Sequence, residues 1–263
     1  MTVTPTPFPE VNELLRLLHA RMNAVLGARL LALYLDGSLA RGGFDAASDI
    51  DFVAVVPSQL DDTTFAALQQ MHAAIGQLDH RLARDIEGFY VPLAGLRRYD
   101  PANSLFANLE RGATECLKWE QTGQAWIVHR YILREYGLVL AGPPPASLID
   151  AIPPSQLQST MRTALQEWSD YVLAAPHLLT QPGYQSYAVL TLCRMVYTLQ
   201  HADILPKAQA AAWGMTYFPA RWQPLISQAL HERSHLRAPT PRQTAETVAL
   251  VDYVRGLKEH EES

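Results

Sequence analysis

Gly142-Pro143-Pro144-Pro145 divides this chain into two stretches of different character, and that division restricts the fold more than any other feature. A glycine followed by three prolines neither continues a helix nor joins the interior of a sheet. Before it, strand-like and helix-like segments alternate. After it, helical periodicity recurs and strand signals are nearly absent. The pattern predicts an α+β domain over 1–146 and an all-α helical bundle over 147–263.

In the first part, Val11, Leu14, Leu15, Leu18, Met22, Val25 and Leu26 recur at steps of three and four, one face of a helix that starts near Pro9 and stops at Gly27. Leu30–Leu35 reads as a buried strand ending at Asp36-Gly37-Ser38, with a short helical turn over Leu39–Gly43. Asp49–Val56 reads as a second strand closed by Pro57, Asp61–Leu78 as a helix, and Arg84–Pro92 as a third strand. Ala94–Gly123 carries little periodicity and is expected to be mostly loop, with an extended piece near Ala113–Trp119; Trp126–Tyr136 is helical. In the second part, helices are expected over Gln156–Leu173, Tyr187–His201, Lys207–Tyr217, Arg221–His231 and Arg242–Glu259. Pro206 and Pro219 stand where prolines suit a helix start.

Charge and cysteine content exclude several function classes. The 263 residues carry 21 Lys plus Arg against 26 Asp plus Glu, a net charge of −5. Neutralising nucleic-acid phosphates takes clustered cations, so nucleic acid is not an expected partner, whereas an acidic surface attracts a small cation. Cys116 and Cys193 are too few for a disulfide framework or a four-cysteine zinc site. The N-terminus lacks the basic and apolar regions of a signal peptide, and the apolar run Leu30–Leu35 is far short of the roughly 18 residues a membrane span requires. A cytoplasmic monomer without membrane contact is expected.

The chemistry concentrates in Gly37, Ser38, Asp49, Asp51 and Glu87. Asp49 and Asp51 are two apart on a strand, so their carboxylates leave the same face. Like charges held that close repel; a raised pKa relieves the repulsion, and a divalent cation relieves it better. Mg²⁺ takes one or two carboxylates and completes its shell with water and substrate phosphate. Glu87, on the next strand, is a candidate third ligand or general base. Glycine at 37 lets backbone approach a ligand, and the Ser38 hydroxyl suits a phosphate oxygen. These parts describe metal-assisted attack on a nucleotide phosphate.

Leu35-Asp36-Gly37-Ser38-Leu39-Ala40-Arg41-Gly42-Gly43, followed by Ser48-Asp49-Ile50-Asp51-Phe52, resembles the Gly-Ser…Asp-x-Asp signature of the DNA polymerase β-type nucleotidyltransferases. Within them the chain is most similar to the streptomycin/spectinomycin adenylyltransferases. The likeness continues at Leu138–Pro143, Val189–Arg194, Leu205–Lys207, Ala211–Trp213 and Arg221–Ile226. The resemblance implies a nucleotidyltransferase domain with a mixed sheet flanked by helices, and a helical domain that helps hold substrate and nucleotide. It implies that Asp49 and Asp51 bind metal, that Glu87 deprotonates the acceptor hydroxyl and joins the metal site, and that Gly37 and Ser38 contact the nucleotide phosphates. It also implies that Arg194 and Lys207 reach the ATP phosphates. A cation at the first turn of a helix opposes the helix dipole, which favours a ligand role for Lys207. Two features depart from the family pattern: Asp36 replaces an uncharged aromatic, and the stretch Leu178–Ser186 contains no acid.

The expected function is transfer of AMP from ATP, with Mg²⁺, to a hydroxyl of a small, polar, cationic acceptor such as an aminoglycoside or aminocyclitol. The alternatives are the same chemistry on a protein or another metabolite, and a non-catalytic nucleotide-binding protein.

Overall fold

A computed structural model describes residues 5–45, 48–110, 117–233 and 237–257. The chain forms two compact units, Met1–Ala151 and Ile152–Ser263.

The first unit is built on a six-stranded mixed sheet: β1 (Ala32–Leu35), β2 (Ile50–Val56), β3 (Ile86–Pro92), β4 (Leu105–Leu109), β5 (Leu117–Gln121) and β6 (Leu138–Ala141). The spatial order is β5-β4-β3-β2-β1-β6. β2 and β3 run parallel, while the β1–β2, β1–β6, β3–β4 and β4–β5 pairs are antiparallel. A parallel pair needs a crossover, here supplied by helix α3 (Asp62–Gly76), whose N-cap Asp61 accepts a hydrogen bond from the Thr64 amide at 2.7 Å. The long first helix α1 (Pro9–Leu26) has proline in its first turn and ends at Gly27 with φ 53°, a left-handed position that favours glycine.

Strand alternation sorts the two faces of the sheet. Leu33, Leu35, Ile50, Phe52, Ala54 and Val56 point into a core shared with α1 and α3. On that side His72 is almost fully buried, its Nε2 2.7 Å from the Tyr90 hydroxyl and its ring stacked on Phe52. The opposite face carries Tyr34, Val53, Phe89 and Phe106, and is covered in part by α5 (Trp126–Tyr136). The Trp126 ring lies 5.3 Å from Phe89 and 5.0 Å from Phe106. Arg130, 2 % exposed, ties α5 to the short helix α4 (Leu93–Arg97) by donating from Nε to the Leu96 carbonyl at 2.7 Å and from Nη2 to the Arg97 carbonyl. A further short helix, α6 (Pro145–Leu148), follows β6.

The second unit is helical: α7 (Pro154–Ala174), α8 (Tyr184–His201), α9 (Lys207–Tyr217), α10 (Gln223–Glu232) and α11 (Pro241–Gly256). α8 is central and packs against the other four. Its residues Ala188, Val189, Leu192, Cys193 and Val196 are buried in a core with Leu165, Ile226 and Val251. Gly214 of α9 permits close helix packing, since a Cβ there would sit 2.9 Å from the Cys193 sulfur. α11 opens with a capping box in which Thr240 and Gln243 satisfy each other's amides.

The segment expected to be mostly loop contains α4, β4 and β5. The extended piece expected near Ala113–Trp119 lies partly outside the described residues, and its visible part is β5, Leu117–Gln121. The helical turn after β1 comes earlier, at Gly37–Ala40 (α2), because the Asp36 carboxylate caps it by accepting from the Gly37 amide. Pro219 precedes a single 3-10 turn, Ala220–Trp222, which leads directly into α10. β6 forms the edge beside β1, a position that needs only a short apolar run.

Candidate active site

The candidate site lies at one end of the sheet, on the face that α5 only partly covers. β1 ends where the Asp36 amide donates to the Asp51 carbonyl at 3.0 Å, and the Asp36 carboxylate turns the chain into α2. The Gly43 amide returns to the Ser38 carbonyl at 2.9 Å. Asp45 and Ser48 then lock each other through paired 3.0 Å bonds, from the Ser48 amide to the Asp45 carbonyl and from the Asp45 amide to Ser48 Oγ. This turn delivers Asp49 immediately before β2. Asp51 is the second residue of β2 and stands directly opposite Glu87 in the parallel register.

Asp49, Asp51 and Glu87 each offer a carboxylate oxygen, and these oxygens all lie within 4.8 Å of one another. All three residues are partly buried. Burial comes first among the causes that raise the Asp51 pKa well above the usual carboxylate range; the charge of Asp49, a hydrogen bond with Glu87, and the charges of Glu87 and Asp36 add to it. A group crowded by that many acids is relieved by a cation.

Gly37 makes this packing possible. It has φ 62°, and a Cβ added there would lie 1.8 Å from Asp51 Oδ2 and 2.6 Å from its Cγ. The Asp51 carboxylate therefore fills the space a side chain at 37 would take. Ser38 Oγ is buried without a hydrogen-bond partner. A buried hydroxyl in that state is costly unless something bonds it, and a phosphate oxygen of a bound nucleotide meets the need. Arg41, three residues on, lies with its guanidinium 3.9 Å from the centroid of the Tyr136 ring and has a buried Nη1 without a partner.

A cavity of about 160 Å³ opens beside the three acids, lined among others by Asp51, Glu87, Asn108, Glu110, Trp126 and His129. Four of these six, Asn108, Glu110, Trp126 and His129, escape the sequence reading. Trp126 and His129 are one helical turn apart and stack at 5.6 Å, a spacing visible in the sequence but shared by ordinary core residues. Asn108 donates to the Glu120 carboxylate across β4 and β5.

Arg194 and Lys207 belong to the second unit. Arg194 donates from Nε to the Leu205 carbonyl at 3.0 Å. Lys207 opens α9 after the N-cap Pro206, with its Nζ 6.0 Å from the centroid of the Tyr187 ring.

Comparison with known proteins gives the same family from sequence and the same architecture from structure. Residues 147–256 match the family described as aminoglycoside adenylyltransferase, C-terminal domain. Over 209 residues the chain is 30 % identical to an aminoglycoside (3'') (9) adenylyltransferase of Klebsiella pneumoniae, covering 76 % of each chain. It belongs to the aminoglycoside adenylyltransferase family. A member from Escherichia coli is 28 % identical over 238 residues, with 87 % of this chain and 86 % of that one covered. The spectinomycin 9-adenylyltransferase of Campylobacter jejuni is 25 % identical over 257 residues and covers 94 % of each. A crystal structure of a spectinomycin adenyltransferase from Enterococcus faecialis, with ATP and spectinomycin, superposes with a TM-score of 0.70 at 18 % identity. It covers 93 % of this chain and 97 % of its own. Among the described residues, no helix is long and apolar enough to cross a membrane.

Proposed function

We propose that this protein transfers AMP from ATP to a hydroxyl of an aminoglycoside or aminocyclitol such as spectinomycin. The observation that carries the reading is the carboxylate triad of Asp49, Asp51 and Glu87, packed against the side-chain-free position Gly37 and next to a buried, unbonded Ser38 hydroxyl. Family membership supplies the reaction class, since the relatives are named as adenylyltransferases.

In this reading Ser38 donates its hydroxyl to a phosphate oxygen, and Gly37 keeps the backbone close to the triphosphate. Glu87 takes the proton from the acceptor hydroxyl. The acceptor oxygen forms a bond to the α-phosphorus as the bond from that phosphorus to the bridging oxygen breaks, and pyrophosphate leaves. Asp49 and Asp51, joined by Glu87, are the residues that would hold Mg²⁺, and the crowding that raises the Asp51 pKa fits them to a cation. When bound, Mg²⁺ offsets the negative charge on the phosphates and on the leaving group.

The test incubates the protein with ATP, Mg²⁺ and spectinomycin or streptomycin. Pyrophosphate and an acceptor heavier by one AMP are expected, and both disappear with excess EDTA. A protein that releases no pyrophosphate with any aminoglycoside or aminocyclitol lacks this function.

A further inference from the structure

The three acids of the triad are part of a longer row. The Asp36 amide bonds the Asp51 carbonyl, and Asp51 is paired with Glu87. β3 and β4 run antiparallel with Gly88 opposite Leu109 and Phe89 opposite Asn108. Carried one step further, that register sets Glu87 opposite Glu110. Parity agrees: Phe89 and Asn108 are a directly opposed pair, so they share a face, Glu87 is two residues from Phe89, and Glu110 is two residues from Asn108. Glu87 and Glu110 both line the cavity of about 160 Å³, whose wall is completed by Asn108, Trp126 and His129.

Glu110 differs from the other acids in its surroundings. It is paired with Lys118, and both side chains are about half exposed (55 % and 52 %). An exposed pair of this kind contributes little and exchanges partners readily. Glu110 is therefore accessible from the cavity, and on the side of Glu87 away from Asp51.

We infer that Glu110 is the specificity-determining anchor for an ammonium group of the acceptor, placed next to the hydroxyl that Glu87 deprotonates. The inference rests on the AMP-transfer reading above and adds the residue that recognises the acceptor's charge. Carboxylates directly opposite on paired strands have Cβ atoms ~5 Å apart. That spacing suits a 1,2-amino alcohol, with its hydroxyl toward Glu87 and its ammonium on the adjacent carbon toward Glu110. His129, stacked on the buried Trp126, and Asn108 complete the wall beside this pair of acids.

The experiment compares wild type with Glu110→Gln, a near-isosteric change at a half-exposed position. Two acceptors are used: spectinomycin, and spectinomycin with its amines acetylated. Loss of one charge-assisted contact is expected to raise the KM for spectinomycin about 10- to 100-fold. The kcat and the KM for ATP are expected to stay within about threefold, a split that general structural damage does not produce. With the acetylated compound the two proteins are expected to behave alike. Lys118→Met, which releases Glu110 from its ion pair, is expected to lower the KM for spectinomycin. Equal KM for spectinomycin in wild type and Glu110→Gln overturns the role of Glu110 and leaves AMP transfer standing. A wild type that releases no pyrophosphate with any amine-bearing acceptor overturns both.

Discussion

Replacing Gly37 with alanine tests the packing on which the triad depends. A Cβ at 37 would lie 1.8 Å from Asp51 Oδ2, and real Cβ atoms essentially never approach a neighbour within 3.0 Å, so the two groups must part by about 1.2 Å. Rotating the carboxylate about its last bond is not enough, because Cγ is also only 2.6 Å away. Asp51 must change its χ1 rotamer or β2 must shift. Either movement takes its oxygen out of the cluster with Asp49 and Glu87. The backbone adds a second cost, since alanine at φ 62° is disfavoured by ~1–2 kcal/mol. Misplacing a catalytic group by about 1 Å costs about 100-fold in rate. Gly37→Ala is therefore expected to lose about 100-fold or more in kcat/KM for AMP transfer, measured by pyrophosphate release. Urea denaturation followed by circular dichroism is expected to show a stability loss of ~1–3 kcal/mol, small enough to leave the protein folded. A folded Gly37→Ala protein with kcat/KM within threefold of wild type would refute the argument that this glycine exists to seat the Asp51 carboxylate.

Asp51→Asn removes the charge that burial, Asp49, Glu87 and Asp36 all disfavour; in EDTA it is expected to be ~1–2 kcal/mol more stable than wild type by urea denaturation, and inactive in the pyrophosphate assay. Burial pushes the His72 imidazole down to about 3 from 6.5, so the folded protein holds it neutral while the unfolded chain protonates it. The stability this contributes is fully present above pH 6.5 and is lost as pH falls toward 3; between pH 7 and pH 5 the loss is ~2 kcal/mol in urea titrations, and His72→Gln is expected to flatten that dependence. Arg130→Met takes the side-chain donor from the carbonyl of buried Leu96, while the Arg97 carbonyl keeps its bond from the Asp150 amide, and is expected to cost ~1–3 kcal/mol in the same measurement. An Arg130→Met protein as stable as wild type would show that the Leu96 carbonyl finds another partner.

Most of the fold is legible where one element contains its own signal. The apolar steps of α1, the β-branched run of β2 and the lone stretch Trp126–Tyr136 each announce their element without reference to any other. β4 does not. Leu105–Leu109 is short, follows Pro101, and is buried at Phe106, Ala107, Asn108 and Leu109 alike, so no alternation marks it as a strand. Its pairing with β3 is a contact between distant parts of the chain, which no local window registers. The site divides along the same line. Asp51 and Glu87 stand on strands whose own apolar runs reveal them, and Asp49, which immediately precedes β2, is marked by its two-residue spacing from Asp51. Glu110 lies one residue beyond a strand the sequence hides, and its relation to Glu87 exists only through the antiparallel register of β3 and β4. The residues readable from sequence are thus the ones that would serve the phosphate chemistry, while the residue proposed to choose the acceptor comes from the strand that sequence does not reveal.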